Sequence, residues 1–64
     1  MLALGTRLQA LRQARGLTQE TLAKHAGLSL GFVGRIEIGL HDPSVSTLLK
    51  LAKGLKVGPS ELLP

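Results

Sequence analysis

This sequence predicts an all-α fold of five short helices, on three observations. Its apolar residues are mainly leucine and alanine, which favour helix, and Phe32 is its only aromatic residue. Leucines recur at helical spacing, as Leu4, Leu8 and Leu11 do near the start. Glycine, proline, serine and threonine separate the apolar blocks, where short helices must stop and restart.

The first helix is expected from Leu2 to Arg15, with Leu4, Leu8 and Leu11 inward and Gly16 as its stop. Thr18 is a good N-cap for a second helix, and Glu20 sits in its first turn, where a carboxylate suits the positive end of the helix dipole. That helix turns Leu22, Ala23 and Ala26 inward and ends at Gly27, a left-handed C-terminal position. Ser29 caps a third helix running to about Ile38, closed by Gly39. After the polar turn Leu40-His41-Asp42-Pro43, Ser44 caps a fourth helix. Its core side carries Val45, Leu48, Leu51, Ala52 and Leu55, and Lys50, Lys53 and Lys56 lie on the rest. Gly58 precedes Pro59, a favoured first helical residue, so a short fifth helix is expected over Pro59 to Leu63.

The connection Gly27-Leu28-Ser29 is short enough to force helices two and three to cross steeply, and Ala23 is small enough to let them approach. A helix-turn-helix unit has this form, and an ordinary αα-corner in a bundle uses the same residues. Sixty-four residues make a single domain, here taken as 1–64. The chain contains no cysteine, which excludes disulfides and thiolate metal sites and is compatible with a reducing compartment. Met1 to Leu4 is too short for a signal-peptide core and Arg7 follows at once, while no run approaches the ~20 apolar residues of a membrane span. A cytoplasmic protein with no membrane partner is therefore expected. Eight Lys/Arg against four Asp/Glu give a net charge of +4, which favours an anionic partner, most commonly nucleic acid. Solubility alone also accounts for such a charge. His25 and His41 lie on different elements with no cysteine near, and adjacent His41 and Asp42 do not face each other, so no metal, cofactor, small-molecule ligand or catalytic role is expected.

Taken in order, the sequence resembles the Cro/lambda-repressor-like helix-turn-helix proteins over nearly its whole length. Gly5-Thr6-Arg7-Leu8-Gln9-Ala10-Leu11-Arg12 looks like the opening helix of that family. Gly16-Leu17-Thr18-Gln19-Glu20 with Leu22-Ala23 looks like the second, and Gly27-Leu28-Ser29 like the turn. Val33, Ile36, Glu37 and Gly39 match the third helix, Pro43-Ser44 with Thr47-Leu48 the start of the fourth, and Leu51-Ala52, Leu55 and Val57 the remainder. The resemblance implies sequence-specific binding to double-stranded DNA, as a transcriptional regulator of the repressor kind. It also implies a two-fold homodimer on a pseudo-palindromic operator, with helix three in the major groove and the N-termini of helices two and four against phosphates.

The residues supply an independent reading of the same surface. On a wheel of about 100° per residue, Val33, Ile36, Glu37 and Leu40 share one sector and Gly31, Gly34, Arg35 and Ile38 the opposite one. The first sector faces the core, which places the Glu37 carboxylate inside and calls for a cationic partner. Arg12, on the face of Leu8 and Leu11, is the candidate partner, two exposed surface charges being the other reading, and the family carries an ion pair at the matching positions. On the outward sector Arg35 is the only charged side chain, and a guanidinium pairs bidentately with guanine O6 and N7. The base-reading set is thus Ser29, Leu30, Gly31, Gly34 and Arg35, with Leu30 or Ile38 suited to thymine methyls.

Phosphate contacts are assigned to Thr18, Gln19 and Ser44 at helix starts, to His41 in the preceding turn, to Arg12, and to Phe32 along a sugar-phosphate strand. Capping alone accounts for Thr18 and Ser44, exposed loop placement for His41, and packing against a neighbouring helix for Phe32. Leu49, Leu55, Val57, Leu62 and Leu63 give the C-terminal end an apolar excess, read as a dimer interface; closing the core is the other reading. The outer face of helix three departs from the polar face usual in the family, and two helical glycines are unfavourable by ~1 kcal/mol each against alanine. An alternative function follows from that departure: a protein-interaction module, or the antitoxin-like partner of another protein, using Leu30, Gly31, Phe32 and Gly34.

Overall fold

Three hydroxyl caps set the helix starts in the computed structural model, which describes residues 2–63. Thr18 Oγ1 accepts from the Thr21 N–H at 3.0 Å, Ser29 Oγ from Phe32 at 3.1 Å, and Ser44 Oγ from Thr47 at 3.2 Å. Each cap residue is extended, so each satisfies one of the donors a helix start leaves open. The helices are α1 (Leu2–Ala14), α2 (Gln19–Ala26), α3 (Leu30–Glu37) and α4 (Val45–Leu55).

The expected fifth helix is a correction: Pro59–Leu62 is a 3-10 turn of four residues, so the described residues hold four α-helices and no strand. The Glu61 N–H donates to the Gly58 carbonyl at 3.0 Å, and the Glu61 carboxylate accepts from the Gly58 N–H at 3.1 Å. So short a segment closes on i→i+3 bonds and does not reach an α-helical pitch.

The four α-helices end in one way. A backbone N–H reaches back to the carbonyl five residues earlier, from Leu17 to Arg12 (3.1 Å), Leu28 to Ala23 (2.8 Å), Leu40 to Arg35 (2.9 Å) and Val57 to Ala52 (3.0 Å). This closure requires a left-handed residue just before it. Glycine supplies it at positions 16, 27 and 39, but Lys56 supplies it after α4, at φ 60°. A side chain there is strained by about 1–2 kcal/mol, part of which glycine returns through its freer unfolded state. Lys56→Gly is expected to stabilise the fold by roughly 0.5–1 kcal/mol, read as a rise of a few degrees in the thermal midpoint; an unchanged or lower midpoint would show the position to be unstrained.

Leu4, Leu8, Leu22, Val33, Ile36, Leu51, Leu55 and Leu62 form the core, with Ala23, Ala26 and Ala52 between them. The helix α2 lies against α4 at Gly54, where a Cβ would come within 3.2 Å of Ala26 N and Leu22 Cδ1. At the other side α1 crosses the last turn of α3 at Gly5, and Arg7 Nε donates to the Glu61 carbonyl at 2.6 Å. No helix among the described residues is long and apolar enough to cross a membrane.

Two residues expected on core faces are exposed. Leu40 (71% exposed) follows the left-handed Gly39, so the α3 wheel does not extend to it. Val45 (74%) begins α4 before the helix is covered, since Leu48 is half-buried and Leu51 fully buried. In the opposite sense, Leu55 and Leu62, assigned to a dimer interface, are 1% and 0% exposed. They complete the core because α2, α4 and the 3-10 turn converge on them.

Candidate nucleic-acid interface

The α2–α3 connection presents α3 as a ridge. Val33, Ile36 and Glu37 are buried, while Leu30, Gly31, Arg35 and Ile38 are exposed and Gly34 half-buried. The chain's packing explains neither glycine: a Cβ at Gly31 would meet only Arg35 Nη1 at 4.0 Å, and one at Gly34 only Gln19 Oε1 at 3.6 Å. Both contacts are ordinary, so the bare strip belongs to the outer surface and not to the core. The Arg35 guanidinium lies along that strip and makes no ion pair or side-chain hydrogen bond among the described residues. Ser29 Oγ is committed as a cap acceptor and keeps its proton to donate outward.

Behind the ridge, the Glu37 carboxylate joins three elements. Arg12 Nε donates to Glu37 Oε2 at 2.7 Å and Arg12 Nη2 to Oε1 at 3.2 Å, tying α1 to α3. Arg12 Nη1 donates to the Leu17 carbonyl at 2.7 Å, which fixes the α1–α2 loop. Gln19 Nε2 donates to Glu37 Oε1 at 2.9 Å, adding the first turn of α2. The pair's side chains are 10% and 1% exposed, and every buried side-chain nitrogen and oxygen among the described residues has a partner. Arg12 is thus a buried organiser with three of its five donors spent on Glu37 and the Leu17 carbonyl. The bond from Gln19 is absent from the sequence reading; its signal is that one arginine does not fill the acceptor sites of a buried carboxylate.

The other assigned phosphate residues divide. The Thr18 hydroxyl also donates to Thr21 Oγ1 at 2.9 Å, so it is occupied on both sides. At the start of α4, Ser44 Oγ lies 3.0 Å from both Ser46 Oγ and Thr47 Oγ1, gathering three hydroxyls beside the open N–H groups of the first turn. Phe32 is half-buried and meets His41 edge-on, with ring centroids 4.6 Å apart at 62°. That contact holds the exposed His41 beside the outer face, with Phe32 as its support. At the C-terminal end, Leu49 and Leu63 remain exposed and Val57 is half-buried.

Two capped helices joined by a three-residue turn through the left-handed Gly27, the second buried on one face and bare on the other, define a helix-turn-helix module. The chain belongs to the helix-turn-helix domain family, whose model matches residues 3–63. It is 38% identical over 60 residues to the uncharacterized HTH-type transcriptional regulator YazB of Bacillus subtilis, spanning 94% of this chain and 87% of that protein. It is 37% identical over 62 residues to the immunity repressor protein of Bacillus phage phi105, spanning 97% of this chain but 43% of that repressor. Among solved structures it matches the restriction-modification controller protein C.AhdI of Aeromonas hydrophila with a TM-score of 0.95 and 45% identity, covering 97% of this chain and 94% of that one.

Proposed function

We propose that this chain binds double-stranded DNA sequence-specifically, with α3 in the major groove, and regulates transcription in the cytoplasm as a small repressor. The observation that carries the reading is the two-sided α3. Its inner face is pinned by the Arg12–Glu37 pair, and its outer face offers Arg35, which makes no ion pair among the described residues. The relatives named as transcriptional regulators and as a phage immunity repressor support it.

The phosphates are held by the first turns of α2 and α4, where open N–H groups point outward beside Gln19, Ser44 and His41. Two copies associate through Leu49, Leu63 and Val57, placing two α3 helices ~34 Å apart on successive turns of a pseudo-palindromic operator. Selection of bound sites from random duplexes tests both statements, since a palindromic consensus is expected. No enrichment at all would overturn the DNA reading and turn the test to a protein partner on the Leu30/Gly31/Gly34 face. Arg35→Ala is expected to lose one preferred G·C pair from the consensus and ~1–3 kcal/mol of affinity for the selected site. An unchanged consensus would remove Arg35 from the reading set.

A further inference from the structure

We propose that Gln19 reads a base: its side-chain oxygen presents a hydrogen-bond acceptor at the outer face of α3 and selects an exocyclic amine, adenine N6 or cytosine N4, at one position of the site. The inference rests on the DNA-binding reading above and changes the role given to this residue.

The chemistry of Glu37 fixes the orientation of the amide. An ionised carboxylate only accepts, so the group turned toward it must be the Gln19 NH2, as the 2.9 Å contact has it. The oxygen then points elsewhere, and it lies 3.6 Å from the position a Cβ would take at Gly34. It accepts no hydrogen bond among the described residues, and since none of the buried side-chain oxygens is unpartnered, it is reached by solvent. Gly34 has no side chain to cover it and shares the outward sector with Arg35 and Gly31.

A phosphate oxygen is itself an acceptor and gains nothing from the Gln19 oxygen. In the major groove the donors on base edges are the amines of adenine and cytosine. The network of Arg12, Glu37 and Gln19 therefore aims an acceptor at Gly34, on the same bare strip of α3 that carries the Arg35 guanidinium, a donor, at Gly31.

The test compares site selection from random duplexes by the wild type and by Gln19→Lys. Lysine keeps a donor toward Glu37 and toward phosphate and removes the acceptor, while its added positive charge raises affinity for all duplexes alike and leaves the base preference as the readout. The wild type is expected to enrich adenine or cytosine at one position. Gln19→Lys should lose that preference alone, with a roughly five- to tenfold fall in affinity for the wild-type site against a duplex changed at that position. Gln19→Leu should lose the same preference, with folding followed by urea unfolding. An unchanged preference at that position in both Gln19→Lys and Gln19→Leu, with Gln19→Leu weakening binding uniformly on all duplexes, would overturn the proposal in favour of a phosphate contact. Absence of enrichment by the wild type would instead overturn the DNA-binding reading itself.

Discussion

Glu37→Gln is expected to destabilise the fold by about 3 kcal/mol, seen as a large fall in the urea midpoint. The substitution preserves shape and one acceptor but removes the charge opposite a buried guanidinium. Removing one partner of a buried pair is unfavourable by about 3–5 kcal/mol because the other ion is left without a counter-charge. Here the loss spreads further, since Glu37 also holds the first turn of α2 through Gln19, and Arg12 holds the Leu17 carbonyl. A chain of 64 residues has in total about 3–10 kcal/mol of stability, so the variant stands near the folding threshold. Replacing both partners with apolar residues, as in Arg12→Met with Glu37→Leu, should recover most of the loss, because no charge is then stranded. DNA affinity should not recover with it, since the angle of α3 depends on the paired geometry. If Glu37→Gln unfolded at the wild-type midpoint, the pair would hold nothing together.

The features legible in the sequence are those that a few adjacent residues decide. Thr18, Ser29 and Ser44 start their helices through their own hydroxyls, and Gly16, Gly27 and Gly39 end theirs through a backbone angle that other residues adopt at a cost. The end of α4 has no such signal, because nothing about lysine announces a left-handed residue; the bond from Val57 to Ala52 imposes it. The buried face of α3 follows from periodicity, and so does the partner of Glu37, since a carboxylate among apolar residues needs a cation. Periodicity fails at Leu40 because the chain has already turned at Gly39.

What required the structure is whatever two helices decide jointly. Leu62 looks like surplus apolar surface until the 3-10 turn packs against α4 and α1. The bond from Gln19 to Glu37 spans 18 positions and exists only because α2 and α3 cross where they do. The glycines divide along the same line. Those at 16, 27 and 39 are explained by conformation, those at 5 and 54 by a neighbouring helix, and those at 31 and 34 inside α3 by neither. That remainder is what keeps the outer face of α3 bare.

The second large effect is expected at Gly5, and its sign is the informative part. Glycine inside a helix is unfavourable by roughly 0.5–1 kcal/mol against alanine, so Gly→Ala in a helix interior ordinarily stabilises. At Gly5 a Cβ would overlap the carbonyl oxygens of Ile36 and Glu37, where α1 crosses the last turn of α3. Backbone on both sides leaves no flexible side chain to move aside, so α1 must lift from α3, loosening Leu4 and Leu8 and drawing Arg12 away from Glu37. Gly5→Ala is therefore expected to destabilise by about 2–3 kcal/mol, as overpacking with a coupled backbone shift does. Gly31→Ala, where a Cβ meets only the mobile end of Arg35, should instead gain about 0.5–1 kcal/mol. Urea unfolding of the two variants side by side reads the contrast directly. A stabilising Gly5→Ala would mean that α1 and α3 do not approach backbone to backbone, and the crossing that positions α3 would have to be drawn differently.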